Sequence, residues 1–313
     1  MKLVIAEPLS ISEERLSSLA RPLEEAGWTI ESYADRPAGQ QELGRRLASA
    51  DAAVIANYPC TAEALAAATQ LRYLCIAFTG VDHVDTAFCR EHRVAVSNCA
   101  GYSTEAVAEL VFGMALSLVR DLPHADPAVR SGKNNAGFLG GELAGKRFGI
   151  IGTGAIGCRT AELARAFGCD VWGWSRTPKD DQIRYTDLET LLRTSDIISI
   201  HLPLTEATRG LIGKKELALM KPAALLINTA RGPIVNSAAL AEALKAGRLG
   251  GAGIDVYEQE PPLPADHPLL SAPHCLLTPH LGFFSAEAME RRAAIVFDNI
   301  QAWNDGRQKN VIC

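Results

Sequence analysis

Apolar, β-branched runs alternate along the chain with stretches of helical spacing. The runs lie at Leu3 to Ala6, Ala52 to Ala56, Tyr73 to Phe78, Val94 to Ser97, Arg147 to Ile151, Asp170 to Trp174, Ile197 to His201, Ala224 to Asn228 and Gly251 to Val256. Strands that are apolar throughout and separated by helices imply βαβ units, because a parallel sheet covered on both faces buries both sides of every strand. One helical stretch, from near Ser103 to about Arg120, is too apolar to face water all round. It is expected to be buried between domains and to contribute to a dimer interface. The segment Asp121 to Gly141 is rich in Gly, Pro, Asn and charge and is expected to be irregular.

Length and composition narrow the picture. A chain of 313 residues exceeds the size at which a single core keeps growing, so two domains are expected. With 48% hydrophobic and 21% charged residues and a mean hydropathy of +0.05, it has the composition of a globular protein. A net charge of -5 and a pI near 5.8 leave no basic footprint for nucleic acid. The eight cysteines are scattered, without a CxxC pair or a nearby His at zinc-ligand spacing, so no metal site is expected and the thiols should be reduced. The opening MKLVIAEPLS turns polar too soon for a signal peptide, and no apolar run reaches bilayer-spanning length. A cytoplasmic protein without membrane contact is the expectation.

The first chemical signal is a glycine fingerprint. Gly152, Gly154 and Gly157 follow the strand Arg147 to Ile151 directly, and a helical pattern from Cys158 to Phe167 comes next. In such a turn the first glycine makes the bend, the second admits a pyrophosphate against the backbone, and the third lets helix and strand pack closely. The anion then rests on the helix N-terminus, where unpaired N–H groups and the macrodipole favour negative charge. Thr153, Ala155 and Ile156 are expected to line the same cradle. The next strand ends in Ser175, Arg176 and Thr177, where an acid would normally accept from the adenosine ribose. With no carboxylate there, and Arg176 able to pair with a 2'-phosphate, NADP(H) is favoured and NAD(H) is the alternative.

Downstream stand Asn228-Thr-Ala-Arg-Gly-Pro-Ile-Val235, Gly253-Ile-Asp-Val-Tyr-Glu-Gln-Glu-Pro261 and Thr278-Pro-His-Leu-Gly282, each at or just beyond a strand end. With Thr79 to Asp85 and Gly101 to Glu109, they make the chain resemble the D-isomer-specific 2-hydroxyacid dehydrogenases, glyoxylate and hydroxypyruvate reductases among them, over nearly its whole length. The resemblance implies that Arg231, Glu260 and His280 are the catalytic set, with Glu258 as the rival to Glu260. The chemistry suits these types. A guanidinium fork can hold and polarise the adjacent carboxylate and carbonyl of a 2-keto acid, and a histidine steadied by a carboxylate can give and take the proton.

The resemblance also implies that the loop at His201 borders the adenosine side of the cofactor and that Thr104 and Asp255 lie near the nicotinamide. Asp255 is otherwise a strand-end cap. Pro203, Thr208, Thr229, Ala230 and Gly282 complete the expected cofactor contacts. Substrate contacts are expected from Tyr58, from the loop Phe78, Thr79, Gly80 and Val81, and from Arg231, His280 and Phe284. Two departures from the family pattern stand out. Asn236 replaces a common Asp, with only local hydrogen bonding at stake, and Phe283-Phe284 place apolar bulk beside His280, which favours a compact or apolar substrate over a phosphorylated one.

The architecture expected is α/β, with two doubly wound parallel sheets. A Rossmann dinucleotide-binding domain, residues 99–280, is inserted into a flavodoxin-like substrate domain made of residues 1–98 and 281–313, with ligands in the cleft between them. The function implied is hydride transfer between NADP(H) or NAD(H) and a small 2-keto or 2-hydroxy acid, in a homodimer. The alternative is a dinucleotide-sensing, corepressor-like binding protein without turnover.

Overall fold

The computed structural model describes all 313 residues and divides into two units. One comprises Met1–Ser103 with Ser285–Cys313, the other Thr104–Phe284. The sequence placed these borders at 98/99 and 280/281. Both shift by a few residues, because the chain changes unit at helix starts and not at strand ends.

The first unit carries the strands β1 (Lys2–Ile5), β2 (Thr29–Ser32), β3 (Ala52–Ile55), β4 (Tyr73–Ile76) and β5 (Ala95–Asn98), all parallel, in the order β2-β1-β3-β4-β5. The central strands β3 and β4 are buried at every position, as a sheet covered on both faces requires. The helix Ala286–Asn304 closes this unit, its Asn299 Nδ2 donating to Asn98 O at 2.8 Å. Strand order reverses between β1 and β3, so the crevice at their carboxyl ends is the place where such a sheet binds ligands.

The second unit holds β6 (Arg147–Ile151), β7 (Asp170–Trp174), β8 (Arg184–Tyr185), β9 (Ile197–Ile200), β10 (Leu225–Asn228), β11 (Gly251–Ile254) and β12 (Cys275–Leu277). They form one parallel sheet ordered β12-β11-β10-β9-β6-β7-β8. Here the reversal lies between β6 and β9. The apolar helix Thr104–Val119 packs on this sheet through Val111, Phe112, Met114 and Ala115. Gly253 gives it room, since a Cβ there would stand 3.1 Å from Met114.

Three strands escaped the apolar pattern. β2 is a half-exposed edge strand, β8 has two residues and β12 three, too few for a period to show. The stretch expected to be irregular contains the helix Leu122–Arg130, whose Pro123 sits in the first turn, where a missing N–H is harmless. No helix is long and apolar enough to cross a membrane.

Candidate active site

All seven strands of the second unit run the same way, so the residues that follow β6, β9, β10, β11 and β12 emerge at one edge of the sheet. After β6 comes the glycine turn, from which the helix Ala155–Ala166 starts with Gly154 as its N-cap. Two of the glycines are required by packing. A Cβ on Gly157 would lie 2.0 Å from Gly152 O, and Gly152 itself has φ +96 and sits against His201 O. Gly154 is different: a Cβ there meets nothing within 4 Å. The turn is therefore open over Gly154, the N-cap of the helix, where a pyrophosphate can approach the backbone. Ala155 is exposed and Ile156 half-buried beside it.

Thr153 is buried, and its hydroxyl accepts from Tyr185 Oη at 3.1 Å, so it braces the turn. Ser175 is half-buried, while Arg176 and Thr177 are exposed at the end of β7, and no acid accompanies them. His201 follows β9, and its Nε2 pairs with Ser199 Oγ at 2.9 Å. Desolvation holds its pKa well below the ordinary 6.5, although part of the residue reaches solvent, so the imidazole is neutral. That suits a residue bordering a cofactor and not an acid catalyst. Thr208 Oγ1 donates to Pro203 O at 2.7 Å and accepts from Thr205 N at 2.8 Å, closing the loop after β9 on itself.

Beyond β10, Asn228 shapes the next loop. Its Oδ1 accepts from Ala230 N at 3.1 Å and its Nδ2 donates to Arg231 O at 2.9 Å. Arg231 Nη1 donates to Ala230 O at 2.7 Å. Gly232 allows this loop to press on the one after β11, for a Cβ there would stand 1.9 Å from Tyr257 C. Thr229 Oγ1 is buried without a hydrogen-bond partner. An orphaned hydroxyl next to the glycine turn's strand neighbours, with open space over Gly154, fits a dinucleotide lying along this edge.

The turn after β12 holds His280 in the left-handed region, at φ +57, a conformation uncommon outside glycine that histidine tolerates better than most residues. Asp255 enforces it. Its wholly buried carboxylate accepts from Thr278 Oγ1, Leu281 N and Gly282 N at 2.5, 2.7 and 2.8 Å, and its carbonyl from His280 N at 2.9 Å. Asp255 thus caps the strand end, and its expected place near the nicotinamide is compatible with that role. Gly282 is part of that arrangement. His280 Nδ1 pairs with Glu260 Oε1 at 2.7 Å, while the rival Glu258 turns to His267 Nε2 at 3.3 Å. Phe283, not Phe284, meets the imidazole, edge to face at 5.0 Å; Phe284 packs on Phe283 and is 53% exposed. Asn236 caps the helix Ser237–Lys245 by accepting from Ala239 N at 2.9 Å, a task an Asp performs equally well.

Thr104 opens its helix half-buried in this unit. In the first unit Tyr58 follows β3, and the segment Phe78–Val81 lies just beyond β4. Phe78 is buried against His83 and Tyr102, whereas Thr79 is exposed and Gly80 and Val81 half-buried. The bracing roles of Asn228, Thr278 and Tyr185 had no sequence signal beyond their presence in or near the motifs. No group of three or more His, Cys, Asp or Glu is placed to hold a metal ion.

Comparison with known proteins agrees with this geometry. Residues 112–282 match the D-isomer specific 2-hydroxyacid dehydrogenase, NAD binding domain. The chain is 38% identical to a glycerate dehydrogenase of Methylorubrum extorquens over 87% of its length and 88% of the relative's. It is 41% identical to a glyoxylate reductase of Thermococcus litoralis, over 78% of this chain and 77% of that one. Among solved structures, an acyclic imino acid reductase in complex with NADPH and D-Arg is 33% identical with a TM-score of 0.92, covering 100% of both chains. The corepressor-like alternative finds no support among these relatives. Motif order, the Arg–Glu–His placement at one sheet edge and these likenesses together make the chain a member of the D-isomer-specific 2-hydroxyacid dehydrogenases, an NAD(P)-dependent enzyme of that family.

Proposed function

We propose that the enzyme reduces a small 2-keto acid, of the glyoxylate or hydroxypyruvate kind, with NADPH as the preferred reductant. The observation that carries this reading is the 2.7 Å pairing of His280 Nδ1 with Glu260 in a turn fixed by Asp255. With Glu260 on Nδ1, the proton transferred to substrate is assigned to Nε2. In the reductive direction Arg231 binds the substrate carboxylate and polarises the carbonyl, and His280 donates its Nε2 proton to the carbonyl oxygen as charge develops there. Glu260 orients the ring through its contact with Nδ1. The dinucleotide, when bound, supplies the hydride. In the reverse direction His280 takes the hydroxyl proton. Backbone N–H groups at Gly80 and Val81 are assigned to the substrate carboxylate, and Tyr58 to the pocket wall. The apolar ring of Phe283 beside His280 supports a compact substrate.

The preference for NADPH rests on the exposed Arg176 and the missing acid after β7. A second reading, reduction of an imine formed from a keto acid and an amine, is favoured by the likeness to the acyclic imino acid reductase. A panel of glyoxylate, hydroxypyruvate, pyruvate and 3-phosphohydroxypyruvate, each with NADPH and NADH and with and without added methylamine, separates these readings by kcat/KM. Highest turnover with a compact keto acid, NADPH and no amine is expected, and His280→Ala should lower kcat by about 10²–10⁴-fold. Turnover only with amine would install the imine reading, and preference for the phosphorylated acid would remove the compact-substrate one.

We also infer a homodimer and a reducing, cytoplasmic setting. All eight cysteines are free, and Leu122, Val129 and Leu139 are exposed on and beside one helix of the second unit.

A further inference from the structure

The first strand of the chain ends next to a buried carboxylate that the catalytic set does not use. Glu7 is 2% exposed and lies two residues beyond β1, beside the Ala56–Tyr58 turn that follows β3. Because β1 and β3 flank the reversal of strand order in their sheet, this is the crevice where the fold favours a ligand. Ala56 N donates to Glu7 Oε1 at 2.6 Å, and Tyr58 N to both carboxylate oxygens at 3.2 Å. Arg36 stands 3.7 Å from Glu7 and bonds Asn57 Oδ1 at 3.0 Å. Its guanidinium lies 5.8 Å from the centre of the Tyr58 ring. His83 ties the same turn to the loop after β4, donating from Nε2 to Ala56 O at 2.8 Å, while Cys60 N donates to His83 O at 2.9 Å.

Burial of a carboxylate carries a desolvation cost that its partners must offset. Desolvation pushes the Glu7 carboxyl above the ordinary 4.5, and the bonds from Ala56 and Tyr58 and the charge of Arg36 only partly offset it. The charge of nearby Arg292, itself buried, adds a smaller offset, while its guanidinium is bonded to Leu9 O at 2.9 Å. A buried carboxylate that commits both its oxygens to the backbone N–H groups of Ala56 and Tyr58, at a ligand crevice, fixes the course of that turn.

We propose that Glu7 is a positioning residue for substrate binding, holding the Ala56–Tyr58 turn and with it Tyr58, with His83 locking that turn to the segment Phe78–Val81. This rests on the reading above in which Tyr58 and that segment receive the keto acid. The test is steady-state kinetics on Glu7→Gln and Tyr58→Ala with glyoxylate and NADPH, alongside dinucleotide binding by fluorescence and thermal melting.

Glu7→Gln keeps the shape but turns one acceptor oxygen into a donor facing N–H groups. It should raise KM about tenfold, with kcat and the dinucleotide Kd within about twofold and a Tm equal to or above the parent's. An unchanged KM, or a fall in Tm with kcat and KM moving together, would overturn the proposal. Tyr58→Ala distinguishes its two supports. If that variant raises KM and Glu7→Gln does not, Tyr58 touches substrate but Glu7 does not position it; if Tyr58→Ala leaves KM unchanged, the substrate reading fails and the proposal with it. Should Glu7→Gln not fold, His83→Phe removes the tie to Ala56 without disturbing the carboxylate and must show the same KM rise at unchanged dinucleotide Kd.

Discussion

Glycines of one motif fail for different reasons, and the difference yields a test. Gly157→Ala would drive a methyl group to 2.0 Å from Gly152 O and should disrupt the fold. Gly154 has φ -74 and ψ -169, which any residue adopts, and open space at its Cβ. Gly154→Ala should therefore leave stability within about 0.5 kcal/mol and weaken dinucleotide binding about tenfold or more, because the methyl group occupies the approach to the pyrophosphate. Intact melting with an unaltered Kd would show that the phosphates lie elsewhere. At this scale the sequence was most legible where residue type and chemistry coincide. Arg231, Glu260, His280 and the three glycines stand out as motifs, and the structure pairs Glu260, not Glu258, with His280. Less legible were residues whose role is to hold others. Asp255 carried no sequence sign of its part in holding the His280 turn, which only its three bonds to that turn reveal.

The elements follow from parallel-sheet physics, and their joints carry the electrostatics. Asp196 opens β9, accepting from Arg147 N at 2.9 Å and from Lys221 Nζ at 2.8 Å, and so fastens the starts of β6 and β9 to the chain leading into β10. Burial pushes its carboxyl up, but the Lys221 ammonium and the Arg147 N–H outweigh this and hold it below the ordinary 3.8. A lowered folded-state value means that the unfolded chain binds the proton more readily. The stability Asp196 contributes is thus complete above its unfolded value and lost as pH falls through the folded one. Asp196→Asn should lower Tm at pH 7 and show a smaller further loss between about pH 5 and pH 2 than the parent, by melting in a pH series. Parallel losses in both proteins would assign the acid sensitivity to other carboxylates. The buried central strands were legible because they are almost wholly apolar, with only an occasional Ser or Asn as in β9 and β10. β2, β8 and β12 were not, being edge strands or only two to three residues long.

At the scale of the whole molecule, composition and motif order gave the two-sheet plan, but assembly leaves a fainter trace. The segment 121–141 looked irregular because Pro, Gly and charge mask the helix Leu122–Arg130 inside it. That helix and its flank expose Val129 at 70% and Leu122 at 51%, and Leu139 is fully exposed. Single exposed apolar side chains are ordinary, but three within one short segment are what a subunit interface provides. A stable interface buries on the order of 1,000 Å² or more and concentrates its energy in a few apolar anchors, so introducing charge at two of them should be decisive. The double variant Val129→Asp, Leu139→Asp should elute as a monomer in size-exclusion chromatography with light scattering, and the parent, on the homodimer proposal, as a dimer. The parent's Tm should also rise with protein concentration, since association is linked to folding, and the variant's should not. Both side chains lie on the surface, so the variant's own core is untouched, and a variant that remains dimeric would place the interface on another face.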